Sequence, residues 1–309
     1  MNLRKTEMSD SQEFEVVIIG GSYAGLSAAM ALGRSLRRVL VIDSGLPCNR
    51  QTPHSHNFLT HDGEKPDVIA KKAKADVLKY DTISFVNDAA LSGKKTENGF
   101  VITTKSGKDF RAEKIILASG IRDIMPDVKG FAECWGISVV HCPYCHGYEI
   151  AGKNTAIFAD ADKAFHLAPL VNNLTGKLTI ITNGDAGFSE EQTRKLVQYN
   201  IEIFETPITE IKHHNGVVDH VVFSDGTTKS FDALYAALPF EQHSDIAEVL
   251  GCEFTDHGHI KLDSSQETTI SGVFACGDNS NMMRSLANAV HSGNLTGALV
   301  NGRLIEERF

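Results

Sequence analysis

Residues 15–25 of the chain read Glu15-Val16-Val17-Ile18-Ile19-Gly20-Gly21-Ser22-Tyr23-Ala24-Gly25. The β-branched run at the start predicts a buried parallel strand, and the apolar spacing after Gly25 predicts a helix. Gly20 allows the tight turn between them, and Gly25 allows the helix to pack closely on the strand. Between these glycines Ser22 is small, although it is not the usual glycine, so the backbone stays open to a pyrophosphate.

The second strand of this unit ends in an acidic residue. The apolar run at 39–42 predicts that strand, and Asp43 follows it, 18 residues after Gly25. An acidic side chain at this place binds a ribose hydroxyl of a dinucleotide. A glycine-rich turn without a ligand is the alternative, but two strands and an acid in register favour a dinucleotide-binding domain.

Length and charge limit the classes of protein to consider. The chain has 309 residues, 42% of them apolar, and a net charge of −9. Domains of ~150 residues are usual, so the length predicts two. The acidic balance argues against a nucleic-acid partner, and no apolar run approaches the ~20 residues of a membrane span. We expect Met1 to Glu13 to be a loose tail and not a signal peptide, which indicates a cytoplasmic protein.

A second motif occupies residues 141–149, which read His141-Cys142-Pro143-Tyr144-Cys145-His146-Gly147-Tyr148-Glu149. Two cysteines at this spacing form an easily reduced disulfide, and a thiolate at a helix N-terminus has a lowered pKa. His146 is placed to exchange protons with the thiols. A zinc site is the alternative, but it needs a second pair of ligands at similar spacing, so redox chemistry is favoured. The other cysteines are single: Cys48, Cys134, Cys252 and Cys276.

The order of strands and helices starts again after Gly120. A strand is predicted at 154–158, and Ala159 follows it in the place that Gly20 has in the first unit. We therefore predict an α/β fold with two Rossmann-like dinucleotide-binding domains of the three-layer ββα type, the second inserted into the first. The predicted boundaries are 1–120 and 239–309 for the first domain and 121–238 for the inserted one.

Three shorter segments complete the pattern. Short runs separated by turn residues between 83 and 110 predict an antiparallel meander. The loop at 45–63 carries three histidines, to which we assign no metal because no cysteine or carboxylate spacing accompanies them. Near the C-terminus an apolar strand ends in Gly277-Asp278, where an aspartate can accept a hydrogen bond from a ligand hydroxyl.

Together these motifs resemble the low-molecular-weight thioredoxin reductase family. The resemblance rests on the glycine turn, Asp43, the strand end Ala118-Ser119-Gly120, the cysteine pair inside an inserted domain, and Gly277-Asp278. It covers about 14–307. The string Cys-Pro-Tyr-Cys-His-Gly-Tyr-Glu is more similar to a thioredoxin-reductase-like branch. That branch includes dithiol oxidases of sulfur-containing natural products and reductases that do not use pyridine nucleotides.

The resemblance implies FAD in the first domain. The implied cofactor residues are Gly20, Ser22, Tyr23, Ala24 and Gly25 in the pyrophosphate turn, Asp43 at the adenosine ribose, Asp278 at the ribityl chain, Asn57 near the flavin, Gly120 and Gly277 at strand ends, and Arg284-Ser285-Leu286 at the helix start beside the isoalloxazine. Ser285 stands where family members often have glutamine.

The resemblance also assigns roles around the cysteine pair. Cys145 is implied to face the flavin C4a and to form the charge-transfer thiolate. Cys142 is implied to be the interchange thiol that meets the partner disulfide. His146 replaces the aspartate of standard members and takes its acid–base role.

The inserted domain departs from the family at its nucleotide turn. Standard members bind NADPH there through a Gly-x-Gly-x-x-Ala turn and a basic cluster after the next strand. Here the turn reads Ala159-Asp160-Ala161-Asp162-Lys163-Ala164, and the cluster position reads Thr182-Asn183-Gly184-Asp185. Alanine stands at both positions where standard members have a turn glycine. The two aspartates repel phosphate, and the cluster position has no Lys or Arg to bind a 2′-phosphate. NADPH is therefore a doubtful cofactor, and a divergent NADH or NADPH site is the alternative.

These residues predict an FAD-dependent thiol–disulfide oxidoreductase acting through Cys142 and Cys145, without NADPH as direct donor. The expected partners are a thioredoxin-like protein or a small dithiol, with a ferredoxin-like electron donor, and the family implies a homodimer. One alternative is a dithiol oxidase that uses dioxygen, and another is an ordinary NAD(P)H-dependent reductase. A third alternative is a non-enzymatic protein, a flavin redox sensor, and the intact cysteine pair argues against it.

Overall fold

A computed structural model describes residues 13–309 of the chain. The expected tail from Met1 to Glu13 falls outside the described residues, except for Glu13. Glu13 is the first residue of the first strand. The strands are β1 Glu13–Ile19, β2 Val39–Asp43, β3 Ile83–Asn87, β4 Ala90–Thr96, β5 Gly99–Thr104, β6 Asp109–Leu117, β7 Ile121–Asp123, β8 Val139–Val140, β9 Thr155–Phe158, β10 Leu178–Ile181, β11 Glu202–Phe204, β12 Ile208–His214, β13 Val217–Phe223, β14 Thr228–Ser230, β15 Ala233–Ala236, β16 Phe240–Gln242 and β17 Val273–Ala275. The helices are α1 Tyr23–Arg34, α2 Pro66–Val77, α3 Phe131–Cys134, α4 Pro143–Ile150, α5 Ala161–Asn172, α6 Glu190–Gln198, α7 Ile246–Val249 and α8 Leu286–Glu306.

The described chain forms two compact units. The first unit contains residues 13–50, 67–122 and 240–309, and the second contains 51–66 and 123–239. The segment 51–66, which the sequence interpretation left in the first domain, groups with the second unit. A physical reason is that the Gln51 amide donates hydrogen bonds to the carbonyls of Ala132 (3.1 Å) and Trp135 (3.2 Å).

The first unit is built on a mixed sheet with the order β3-β2-β1-β6-β5-β4, and β17 pairs with β6. Strands β3, β2, β1, β6 and β17 are parallel, and β4 and β5 form an antiparallel hairpin extension. The meander expected at 83–110 is therefore wrong for its first strand. β3 pairs with β2, because Ile83 and Phe85 pack on the helical side of the parallel sheet.

Helices α1 and α8 cover one face of this sheet together. Two glycines of α8 allow the close approach, since a methyl group on Gly293 would lie 2.1 Å from the carbonyl oxygen of Ala24, and one on Gly297 would lie 2.6 Å from that of Ala28. The N-terminal half of α8, around Gly293, is thereby fixed beside the first turn of α1.

The second unit repeats the parallel arrangement on a smaller scale. Its main sheet has the order β11-β10-β9-β15-β8, and every pair in it is parallel. Helix α5 connects β9 to β10, and α6 connects β10 to β11. A separate antiparallel sheet contains β12, β13 and β14. Two parallel sheets joined by helices confirm the predicted α/β, Rossmann-like fold class.

Residues 13–309 contain neither a helix suited to cross a bilayer nor a cluster of metal ligands. None of the helices there combines the length and apolar character needed to cross a bilayer. No group of three or more His, Cys, Asp or Glu side chains in that range is arranged to hold a metal ion.

Candidate active site

The turn between β1 and α1 has room only for glycine at two positions. Gly20 has a φ of +106°, and a methyl group on it would lie 2.3 Å from the carbonyl oxygen of Ala118. A methyl group on Gly25 would lie 1.9 Å from the carbonyl oxygen of Gly20. These distances are far below van der Waals contact, so any side chain would force the strand, the turn and the helix apart.

The same turn leaves the N-terminus of α1 without a side-chain cap. Ser22 is the N-cap residue and makes no side-chain capping hydrogen bond. Asp43 at the end of β2 accepts a hydrogen bond from the Gly21 N–H (3.1 Å), which fixes its carboxylate beside the turn. Uncapped N–H groups beside an acidic acceptor fit the pyrophosphate and ribose of a dinucleotide such as FAD.

The carboxyl ends of β1, β6 and β17 meet at one edge of the first sheet, since the three strands are parallel neighbours. This edge collects Gly20, Gly120 and Gly277, all with positive φ. Space is open at the Cβ position of Gly120, and the Gly277 N–H donates to Ser292 Oγ (3.1 Å). Ligands of open parallel sheets bind at such an edge.

Five other predicted cofactor residues of the first unit lie at the starts of its two long helices or just before them. Tyr23 and Ala24 are buried in the first turn of α1. Arg284 Nε lies 3.9 Å from Asp278 Oδ2, which places a guanidinium next to the predicted ribityl-binding carboxylate. Leu286 begins α8, and its N-cap Ser285 accepts a hydrogen bond from the Asn288 N–H (3.1 Å).

The predicted cofactor residue Asn57 lies in segment 51–66 of the second unit. It has a φ of +56°, and its N–H donates to Asp62 Oδ1 (2.7 Å).

Helix α4 of the second unit carries the cysteine pair at its N-terminus. Cys142 is the N-cap residue and Cys145 lies in the first turn, with 2.7 Å between the two sulfur atoms. Both side chains are half-buried. The carbonyl of Cys142 accepts the N–H groups of Cys145 and His146 (both 3.3 Å), which holds the turn in shape. The positive end of the helix dipole stabilises a thiolate here.

His146, the predicted acid–base residue, follows Cys145 directly and is half-buried. Burial lowers the pKa of His146 from its ordinary value, the nearby His56 lowers it further, and Glu149 opposes the shift. The imidazole is therefore neutral at pH 7 and able to accept a proton. His56 Nδ1 lies 3.4 Å from Glu149 Oε1 and 3.7 Å from Asp62 Oδ1.

Sequence reasoning missed the position of His56. It treated the residue as one of three loop histidines without a role, whereas segment 51–66 places it against α4. A contact between residues 93 positions apart leaves no periodic signal, and only the unusual number of histidines in the loop pointed to it.

The other cysteines differ from the pair in environment. Cys134, Cys252 and Cys276 are buried, and Cys48 is exposed. Burial raises the pKa of Cys134 to about 11 and that of Cys276 to about 12, with small opposing hydrogen bonds from Ser138 and Thr296. Thiols with such pKa values remain protonated and unreactive at neutral pH.

The N-terminus of α5, the counterpart of α1, is closed by the chain itself. Asp160 is its N-cap residue and accepts a hydrogen bond from the Lys163 N–H (3.1 Å), and Lys163 Nζ lies 2.8 Å from the other carboxylate oxygen. Burial opposes ionisation of Asp160, but the hydrogen bonds from Lys163 outweigh it and lower the pKa of the carboxyl. A carboxylate thus occupies the end of the helix that attracts phosphate.

Polar side chains in the segment after β10 also form hydrogen bonds within the chain. Thr182 Oγ1 donates to the carbonyl of Gly184 (2.6 Å), and Asn183 Oδ1 accepts from the Ile208 N–H (2.8 Å). Asn183 has a φ of +59°, as expected of a turn residue. These side chains shape the loop.

Comparison with known proteins identifies the family. A family model described as pyridine nucleotide-disulphide oxidoreductase matches residues 14–293. The thioredoxin reductase tcpT of Claviceps purpurea is 31% identical over 97% of this chain and 97% of its own length. The thioredoxin reductase sirT of Leptosphaeria maculans is 32% identical over 93% of each chain. A solved oxidoreductase from Agrobacterium tumefaciens is 35% identical over 96% of this chain and 99% of its own, with a TM-score of 0.89. The chain therefore belongs to the pyridine nucleotide-disulphide oxidoreductase family, as a thioredoxin-reductase-like, FAD-dependent disulfide oxidoreductase.

Proposed function

We propose that this enzyme exchanges two electrons between its flavin and a partner dithiol or disulfide through Cys142 and Cys145, without NADPH as the direct donor. The observation that carries the second half of the proposal is the start of α5, where Asp160 and Lys163 satisfy each other. A nucleotide pyrophosphate would have to displace a carboxylate from that helix end and to remain beside it.

The chemistry at α4 is a thiol–disulfide exchange. In the oxidising direction, a partner thiolate attacks Cys142 Sγ of the disulfide and Cys145 leaves as a thiolate. The second partner thiol then attacks the mixed disulfide, Cys142 leaves, and the partner disulfide forms. The cysteine pair has gained two electrons, and bound FAD is the group that accepts such a pair or returns it.

His146 handles the protons of this exchange. As a neutral, half-buried imidazole it can take the proton of the attacking partner thiol and return it to the leaving sulfur. In the reducing direction the same steps run backwards, so one set of residues serves both a reductase and an oxidase.

The surface around the cysteines supports a partner with apolar character. Tyr144, between the two cysteines, is 70% exposed, and Tyr148 one turn further is 89% exposed. Exposed aromatic rings are favourable contacts for an apolar partner surface. The relatives named thioredoxin reductase support a thioredoxin-like protein as that partner, and a small dithiol is the other proposed class. Without NADPH as the direct donor, the reducing direction draws its electrons from another carrier, and a ferredoxin-like protein is the proposed class.

An anaerobic titration of the holoenzyme tests the proposal through the flavin absorbance. We expect no bleaching by stoichiometric NADPH or NADH, and full bleaching by a small dithiol such as dithiothreitol. A Cys145→Ser control should lose bleaching by the dithiol but keep bleaching by dithionite. Prompt bleaching by either nucleotide would overturn the proposal in favour of an ordinary NAD(P)H-dependent reductase. Admitting air to the dithiol-reduced enzyme then tells the direction, since rapid reoxidation with continued dithiol turnover indicates an oxidase.

A further inference from the structure

A tyrosine stands in the centre of the second sheet, where the strand pattern calls for aliphatic residues. Tyr235 lies on β15 between β8 and β9, paired in register with Val140 and Ile157, and it is 1% exposed. Its side chain belongs to a buried cluster whose other members are aliphatic, including Ile150 at the end of α4. Such a site favours phenylalanine or leucine unless the hydroxyl has a use.

The hydroxyl of Tyr235 reaches the inner side of α4. A methyl group on Gly147 would lie 3.4 Å from Tyr235 Oη, at van der Waals contact, which places the hydroxyl beside α4. The hydroxyl is buried and has no hydrogen-bond partner among residues 13–309. Burying a hydroxyl unpaired is costly, and such atoms in native proteins call for an explanation.

Two groups of α4, its N-cap residue Cys142 and Glu149 in its last turn, contribute to raising the pKa of this phenol. Glu149 is turned away from the sheet, since its side chain is 41% exposed and lies 3.4 Å from His56 Nδ1. Cys142 is the group that changes charge in the reaction. Burial raises the pKa of Tyr235 to about 12, with smaller contributions from Cys142 and Glu149, so the phenol stays protonated and acts as a donor.

We propose that the Tyr235 hydroxyl donates a hydrogen bond to the sulfur of Cys142 when the cysteine pair is reduced, and has no such bond when the pair is oxidised. This inference rests on the proposed function. Reduction adds two electrons and one proton to the disulfide, breaks the S–S bond, and leaves one thiol and one thiolate. When Cys142 leaves the mixed disulfide as a thiolate, its sulfur becomes the acceptor that the phenol lacks, and the phenol keeps its proton.

A donor that bonds only the reduced state shifts the equilibrium toward that state. It lowers the pKa of Cys142 and makes the disulfide a stronger oxidant, in addition to the effect of the helix N-terminus. Tyr235 is thus a residue that tunes the pair without taking part in bond exchange.

The test is Tyr235→Phe, which removes the hydroxyl and keeps the ring. The pKa of Cys142 is measured from the pH dependence of its alkylation in the Cys145→Ser background, and we expect Tyr235→Phe to raise it by about one unit. In the otherwise unchanged enzyme, the equilibrium constant for oxidation of glutathione by the pair should fall about tenfold, equivalent to ~30 mV. Tyr199→Phe, an exposed tyrosine of the same unit, is the matched control and should change neither value.

Denaturant unfolding of both redox states separates this role from a structural one. We expect Tyr235→Phe to leave the oxidised protein as stable as the wild type or more so, and to destabilise the reduced protein. Equal destabilisation of both states would overturn the inference, as would an unchanged Cys142 pKa in an enzyme whose wild type turns over dithiols. A wild type that no dithiol reduces would instead overturn the proposed function.

Discussion

The two units contain the same strand–turn–helix element. The two copies differ in charge at the helix start. In the first, the helix start at Ser22 has no side-chain cap. In the second, the carboxylate of Asp160 caps the helix and binds the ammonium of Lys163. Free N–H groups at a helix start attract phosphate, and a cap removes that attraction. The comparison indicates that this element can bind a nucleotide phosphate only where no side chain caps the N-terminus of its helix.

The α4 helix extends the comparison to a third helix start. Cys142 is its N-cap residue and, like Ser22, makes no side-chain capping bond. The charge that this helix end stabilises is the thiolate of its own cysteine pair. Under the proposed function, the start of α1 meets a cofactor phosphate and the start of α4 a thiolate, whereas the start of α5 is capped by Asp160.

The largest effect is expected from closing the first turn sterically. Gly25→Ala would place a methyl group 1.9 Å from the Gly20 carbonyl oxygen, so the turn must open and FAD should be lost together with all activity. Gly302→Ala, on α8 with open space at its Cβ position, is the matched control and should retain FAD and gain about 0.5–1 kcal/mol of stability. FAD content after purification measures both. A Gly25→Ala protein with a full complement of FAD would show that this turn does not hold the cofactor.

A smaller effect is expected from giving the first turn the charge of the second. Ser22→Asp places a carboxylate near the pyrophosphate, where like charges at ~4 Å are unfavourable by about 1 to 4 kcal/mol. The affinity of the apoprotein for FAD should therefore fall by roughly fivefold or more. Ser22→Asn, of the same size but uncharged, is the control and should lose much less. Equal FAD affinities for the two variants, measured by reconstitution, would remove the electrostatic argument from the comparison.

The smallest effect is expected on stability. Asp160→Ala removes a cap and should cost about 0.5–2 kcal/mol, whereas Ser22→Ala in the apoprotein should cost little because no capping bond is lost. Since the folded pKa of Asp160 is lowered, its contribution is present above the unfolded value of about 3.9 and is lost as the pH falls through the folded pKa. Urea unfolding at pH 7 and at pH 3 should thus show a larger difference between wild type and Asp160→Ala at pH 7. A difference that does not shrink at pH 3 would mean that the carboxylate charge contributes nothing.

Local sequence patterns predicted much of the fold. The strand at 15–19 and the glycine turn appear as β1 and the start of α1, and the helix start expected at Arg284-Ser285-Leu286 appears as the start of α8. The pattern also showed which helix starts carry cysteines or aspartates. These features depend on residues a few positions apart, whose spacing follows directly from helix and strand geometry.

Patterns of this kind fail where distant segments decide. The run at 83–87 has the length and composition of a meander strand, yet it pairs in parallel with β2. Segment 51–66 follows the first unit in sequence, yet its hydrogen bonds and His56 join it to the second. Pairing partners and long-range contacts reflect the packing free energy of the whole unit, which no local window contains.

The sequence by itself determined the two dinucleotide-type units, the redox pair and the loss of the second glycine turn, because each is encoded in contiguous residues. Tertiary structure alone decided that His56 lies against Glu149 of α4, and that the hydroxyl of Tyr235 is buried beside the same helix without a hydrogen-bond partner among residues 13–309. Both decisions bring together residues far apart in the chain. Their protonation depends on burial and on neighbouring charges, and these exist only once the sheet, the loop and the helix have packed.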